Sequence, residues 1–465
     1  LRETGSPAEG ATSRPDTSIN REPSLQASAL LLAFFPQIQA RRLDQFRAAQ
    51  TPEGYFPGDW RDPFRQLGPP PVKLISPADI ANEPGLLLDP ALKPLPPYAI
   101  SRGPQLPQKE NFGTTNSYVL QLAQYALWTG DRDFLYETMP ALRRVLHNQI
   151  LRVDTDGLEQ AASSASDGKV HPSLLISWLA ALRAGQRLAR TAEELAVAEA
   201  PASGFLGPVP GALAEIVADR RFAAECEAAF LRTQAGISKL LANGRLEPDT
   251  EATPLYSPEV AAVVGPDART GTWFADQLGL GELLSAATLQ ALPKPTSVRS
   301  GADTTDEARL RGHTGDWNAL YRLQGFRYDG IAERLTLSPQ IPGTWRTLTC
   351  PVFAPTFWGK LEFKPTAHGA VLTLRIDRVI ALTEALPMHK SLGSIGGARF
   401  TLRSLRVAGL PTGAQVVPSA SDVHVSLGPN PVGCQVARDP SGDLILTFAT
   451  PLTLLAGSRL EVVVH

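Results

Sequence analysis

The sequence predicts an α+β protein in which a helical region precedes an antiparallel β region, and three observations carry that expectation. Up to about residue 325 the apolar residues recur at three- and four-residue spacing, as they do on one buried face of a helix. From Leu335 onward they alternate, as they do on a half-buried strand. Between the two patterns, Gly325-Phe326-Arg327-Tyr328-Asp329-Gly330 makes a glycine-bounded turn that closes the helical run from Asp316 to Leu323. At 465 residues the chain is longer than one ordinary core supports, so the switch also marks an expected domain boundary. The expected division is a flexible N-terminal segment over 1–24, a helical domain over 25–330 and a sandwich-like β region over 331–465.

In chain order, Ser24 can cap a helix in which Leu25, Ala29, Leu32 and Phe35 share a face, and Pro36 should end it before a second helix carrying Leu43 and Phe46. A proline-rich connection from about Pro52 to Pro107 is too long for a plain loop. Asn116-Ser117 then leads into Tyr118, Leu120, Leu122, Ala123, Tyr125 and Leu127, which Thr129-Gly130-Asp131 terminates. Asp133 is the expected cap of the next helix, Phe134 to Ile150. Further helices are expected from Pro172 to about Leu195, from about Ala212 to Leu241 and from about Gly271 to Leu292. Helix pairs joined by tight turns suit a toroid or solenoid of αα-hairpins better than a four-helix bundle. Fewer helices are visible than the twelve of a complete six-hairpin ring, so the expected toroid is incomplete or reduced. Short alternating segments follow at Val371-Ile376, Arg399-Arg403, Val423-Val425, Leu444-Phe448 and Leu460-Val464, separated by Gly, Pro, Asp and Ser turns. That spacing argues for an antiparallel sandwich.

Composition removes several function classes. A net charge of −2 gives no electrostatic reason to bind nucleic acid or an acidic membrane surface. There is no long uncharged apolar run to read as a transmembrane segment. Cys226, Cys350 and Cys434 are far apart, odd in number and in no metal spacing, so they predict neither a disulfide framework nor a zinc site. The first twenty residues are polar and begin at Leu1, which reads as part of a longer reading frame or a trimmed one. The expectation is a soluble protein, cytoplasmic rather than secreted.

Three stretches can carry chemistry. Asp154-Thr155-Asp156-Gly157-Leu158-Glu159-Gln160 follows a helix and by itself reads as an acidic turn that terminates it. Trp273-Phe274-Ala275-Asp276-Gln277-Leu278-Gly279 holds Asp276, read locally as a helix-start carboxylate favoured by the helix dipole. Asp306-Glu307-Ala308-Arg309-Leu310-Arg311-Gly312-His313-Thr314 places a lone histidine in a glycine turn, which is more often structural than functional.

The turn at Gly325-Gly330, running into Arg334-Leu335-Thr336-Leu337-Ser338-Pro339, resembles the catalytic region of glycoside hydrolase family 116, the β-glucosidases and non-lysosomal glucosylceramidases. Ser177-Trp178-Leu179-Ala180-Ala181-Leu182-Arg183-Ala184, Leu30-Pro36 and Thr129-Leu135 are similar to family segments in the same order. The resemblance implies that Glu159, nearest to the glutamate of the family's "D-x-D-G-(D-G)-L-I-E-N", is the nucleophile, one residue out of register. It implies that Asp276, in an "A-D-Q-L" context, is the general acid, and that Glu307 and His313 hold sugar hydroxyls. The family's "D-Q-T-Y-D-x-W" segment is missing after Gln160, as are its large N-terminal β-domain and several helices between the general acid and Glu307. The implied activity is a retaining β-glycosidase acting on β-glucosides through two carboxylates, with a carbohydrate partner and neither metal nor organic cofactor. The alternative is a catalytically degenerate relative that binds carbohydrate or scaffolds a partner.

Overall fold

The computed structural model describes residues 28–50, 54, 56, 111–159, 170–199, 210–248, 250–251, 270–293, 296–297, 319–343, 345–366, 369–380, 400–408, 422–439 and 442–465. The helices are α1 (Ser28–Phe34), α2 (Pro36–Ala49), α3 (Asn111–Thr129), α4 (Arg132–Asp156), α5 (Pro172–Glu199), α6 (Pro210–Ala242), α7 (Thr270–Gln277) and α8 (Ala286–Ala291), with a helical stretch at 319–324. Pro36 separates α1 from α2 by occupying the first turn of the second helix, where a missing N–H costs nothing.

Two local expectations need correction. The cap of α4 is Asp131, whose side chain accepts from the Phe134 N–H at 3.0 Å. Asp133 instead lies in the first turn, where its charge suits the helix dipole. The single segment expected from Gly271 to Leu292 is two helices, because Gly279 (φ 59°) and Gly281 (φ 82°) take left-handed backbone that turns the chain after α7.

The described helices gather around α5, which packs against α3, α4, α6 and α7, and the expected incomplete toroid is not shown among the described residues. Helix α6 runs antiparallel to α5. Arg220 pairs with Glu193, Arg183 with Glu227, and Val170 bridges Leu246 just before α5 begins. Helix α7 runs in the same direction as α5: Gly271 lies against the Ile176–Ser177 backbone, where a Cβ would come within 2.6 Å, and the Arg187 guanidinium donates to the Leu278 carbonyl. Helix α3 is enclosed, with Tyr118, Tyr125 and Trp128 all fully buried.

Strands β1 (Thr250–Glu251) and β2 (Thr296–Ser297) make a small parallel pair. After residue 326 come β3 (Arg327–Asp329), β4 (Arg334–Leu337), β5 (Leu348–Phe353), β6 (Phe357–Pro365), β7 (Ala370–Val379), β8 (Phe400–Val407), β9 (Val423–Leu427), β10 (Asn430–Pro431), β11 (Cys434–Arg438), β12 (Leu444–Leu454) and β13 (Arg459–Val464). One sheet has the order β10-β9-β13-β7-β6-β5 and is antiparallel throughout. The other, β11-β12-β8-β4-β3, is mixed, because β4 runs parallel to β8. The sheets face each other: Phe357 on β6 stacks on Phe400 of β8 with ring centroids 4.1 Å apart, and Tyr328 on β3 meets both rings edge-on. The chain is therefore α+β.

Helices and sheets share one continuous apolar core. Phe34 packs on Phe353 and Trp358, and the Trp358 indole N–H donates to the Ala33 carbonyl at 3.1 Å. Gly330 donates to the Leu127 carbonyl at 2.6 Å, and a Cβ on Gly130 would come within 2.9 Å of the Gly330 backbone. Only glycines permit that approach of α3 to the turn after β3.

Candidate functional site

The first candidate stretch lies at the C-terminal end of α4. Gly157 (φ 81°) ends the helix, and its N–H donates to the Val153 carbonyl at 3.0 Å. Leu158 then folds over Gly236 of α6, where a Cβ would sit 2.8 Å from the leucine Cδ2. That seating directs Glu159 outward, where the Arg245 Nε donates to its Oε1 at 2.8 Å and Nη2 donates to the same oxygen. Asp154, in the last turn of α4, forms a two-bond pair with Arg232 at 3.2 and 2.9 Å.

Beneath this pair is a cavity of about 210 Å³ lined by Ile150, Val153, Asp154, Leu158, Trp178, Ala229, Arg232 and Thr233. Its inner wall, Trp178 and Ala229, is buried, whereas Asp154 and Arg232 are about half exposed at its mouth.

Asp276 lies elsewhere. It is the penultimate residue of α7, not a helix-start carboxylate, so the dipole there opposes its charge. Its compensation is Arg327 on β3, whose Nη2 donates to Asp276 Oδ1 at 2.5 Å. Two residues along the same strand, Asp329 accepts from Arg187 Nη2 at 2.5 Å and from the Ala332 N–H at 3.0 Å. Arg187 also donates to the Leu278 and Gly279 carbonyls. Asp276, Arg327, Asp329 and Arg187 thus tie α7 and α5 to the first strand of the mixed sheet. Next to Asp276, Gln277 is buried, and neither its amide oxygen nor its nitrogen has a partner among the described residues.

Glu159 and Asp276 are held by different partners, Glu159 by Arg245 after α6 and Asp276 by Arg327 on β3. Arg245, which holds Glu159, precedes Leu246, the bridge partner of Val170 at the start of α5. Asp276 lies five residues beyond Gly271, the residue of α7 that rests on the Ile176–Ser177 backbone of α5. Each carboxylate is held by an arginine and about two-fifths exposed. Glu307 and His313 lie outside the described residues.

Sequence reasoning passed over Asp154 in favour of Glu159, and nothing in local spacing marked Arg232, Thr233 or Arg245 as neighbours of that turn. Trp178 and Asp329 stood inside segments noted for other reasons. Among the described residues no group of three or more His, Cys, Asp or Glu side chains is arranged to hold a metal, and no helix is long and apolar enough to cross a membrane.

No protein-family model matches the chain, and no curated protein matches it. Solved structures similar to it include an α-L-rhamnosidase from Dictyoglumus thermophilum, at 10% identity and a TM-score of 0.42, covering 95% of this chain and 46% of that one. A Streptomyces avermitilis α-L-rhamnosidase complexed with L-rhamnose is similar at 13% identity and a TM-score of 0.36, covering 94% of this chain and 38% of that one. A family 78 rhamnosidase of Bacillus sp. GL1 is similar at 14% identity and a TM-score of 0.27, covering 56% and 30%. The chain spans less than half the length of each of these proteins.

Proposed function

We propose that this chain is a carbohydrate-binding protein akin to glycoside hydrolases, in which Glu159 and Asp276 do not act as one hydrolytic pair. The carbohydrate half of the reading rests on the order of sequence segments similar to family 116. What supports setting hydrolysis through this pair aside is that each carboxylate is engaged by its own arginine, Glu159 by Arg245 and Asp276 by Arg327. A retaining mechanism needs two carboxyl groups about 5–5.5 Å apart and an inverting one about 6.5–9.5 Å, with one of them free to protonate the leaving oxygen. Sugar hydroxyls would meet the half-exposed carboxylate–guanidinium pairs Glu159–Arg245 and Asp154–Arg232, which offer acceptors and donors side by side. Glu307 and His313 are proposed as further sugar contacts.

A second reading, hydrolysis of glycosides, is favoured by one feature. Asp276 shares the helix–sheet junction with a second carboxylate, Asp329, two residues from the arginine that holds it. In that reading Asp276 remains the acid and its partner comes from the same level of α5.

The test is a panel of aryl glycosides, β-glucosides and α-L-rhamnosides among them, run beside calorimetric titration with the free sugars. Binding without aryl release is the expected result. Aryl release abolished by Asp276→Asn but not by Glu159→Gln would establish the second reading. Aryl release abolished by both would restore the retaining pair, and neither binding nor release would overturn the carbohydrate assignment.

A further inference from the structure

The cavity between α4, α5 and α6 carries a chemistry of its own. Its inner surface comes from Ile150, Val153, Leu158, Trp178 and Ala229, with the Thr233 hydroxyl and the buried Trp178 indole N–H as polar groups of the lining, while charge is confined to the Asp154–Arg232 pair at the mouth. An apolar cavity of about 150 Å³ accepts benzene, and this one is partly open to solvent beside the Asp154–Arg232 pair, so a ligand can enter. At about 210 Å³ it is larger than such a benzene site and smaller than the roughly 300 Å³ at which sites for drug-sized ligands begin. Its size therefore fits a single ring.

We propose that this cavity is a binding site for a small aromatic ring bearing one hydroxyl, a phenol-type compound. The ring packs against Trp178, Ile150 and Ala229, and the hydroxyl meets Thr233. A sugar ring is disfavoured inside, because most of its hydroxyls would be desolvated against aliphatic walls with no partner. Leu158 is the adjustable wall. It is seated by van der Waals contact on Gly236 and joined to α4 through the left-handed Gly157.

The proposal is separate from the carbohydrate reading, and the experiment keeps the two apart. The full chain is titrated calorimetrically with phenol and, in parallel, with methyl β-glucoside. Phenol is expected to bind with a Kd on the order of 0.1–1 mM, what a seven-atom ligand can reach in a preformed apolar site. Ala229→Leu fills the cavity and should weaken phenol binding at least tenfold. Thr233→Val keeps the shape, removes the hydroxyl and provides a second variant should the first not fold. It should weaken phenol several-fold and leave toluene unchanged. No heat with phenol at roughly tenfold above that Kd range would overturn the proposal, as would full-affinity binding by a folded Ala229→Leu protein or phenol affinity untouched by Thr233→Val. Binding of methyl β-glucoside without phenol would sink the cavity proposal and leave the carbohydrate reading standing.

Discussion

Two levels along α5, its start and its middle, use the same residue types for different purposes. At its start, Glu159–Arg245 and Asp154–Arg232 are pairs between side chains that keep about half their surface in water and border a cavity. Fifteen residues on, Arg187 is 29% and Asp329 15% exposed, and each makes additional bonds to backbone: Arg187 to the Leu278 and Gly279 carbonyls, Asp329 to the Ala332 N–H. The lesson is that a carboxylate beside an arginine has no fixed meaning. Where both are exposed and bound only to each other, their removal is cheap and their groups stay available to a ligand. Where both are partly buried and wired to backbone from three elements, they hold the fold together.

The largest expected effect lies at the helix–sheet junction. Gly325 has φ 54°, and a Cβ there would lie 2.3 Å from the Ser338 carbonyl oxygen, which belongs to backbone and cannot swing away. Gly325→Ala should lower stability by about 3 kcal/mol or more, through left-handed strain and displacement of the chain after β4. Urea denaturation measures it. A loss under about 1 kcal/mol would mean that the junction is loose and the contrast between the two levels overdrawn.

Next comes Arg187→Ala, which removes a partly buried pair and two carbonyl bonds together. A loss of about 2–3 kcal/mol is expected from the denaturation midpoint, between the values for surface and buried pairs.

How much of this was legible beforehand follows the range of the forces involved. The helix-to-strand switch near residue 325 is a matter of local periodicity, and the helices at 28–34, 36–49 and 210–242 appear close to where the apolar spacing put them. Strands β5 and β6 escaped notice, although Leu348, Cys350 and Val352 alternate, because Pro351 reads as a breaker. It is tolerated there because β5 is an edge strand. The assignment of Asp276 to a helix start failed because two glycines in left-handed conformation end α7 only eight residues after it begins. Pairing is less legible still. Arg245 is 86 residues from Glu159, and Arg327 is 51 from Asp276. A motif carries no information about which distant arginine will close on its carboxylate.

A third carboxylate, Asp219 on α6, sharpens the comparison through pH. It is buried against Arg143 of α4, with Glu215 sharing the same guanidinium. Burial raises its carboxyl to about 6, against the opposing pull of Arg143. Because the folded value lies above the unfolded one, the native state binds this proton more tightly. The stability it contributes is fully present below about pH 4 and is lost as the pH rises through about 6. The expected decline over that window is about 2–3 kcal/mol, read as a falling denaturation midpoint once other carboxylates are subtracted. Asp219→Asn should flatten it. An unchanged slope in that variant would show that Arg143 already compensates the buried charge.

The smallest effect is predicted where the sequence placed its nucleophile. Glu159 and Arg245 are about two-fifths and three-fifths exposed and bound to each other through side-chain atoms alone. An exposed pair gains little over hydration and loses side-chain entropy, so Glu159→Gln should change stability by no more than about 0.5 kcal/mol. A double-mutant cycle with Arg245→Gln should give a coupling of the same small size, and moderate salt should erase it. The same cycle on Asp329 and Arg187 should give several times more and resist salt, since its partners are shielded from ions. If the Glu159 cycle instead returned a coupling of about 2 kcal/mol, the start of α5 would be as tightly built as its middle. Its carboxylates would then be structural, and the proposal that they receive sugar hydroxyls would lose its ground.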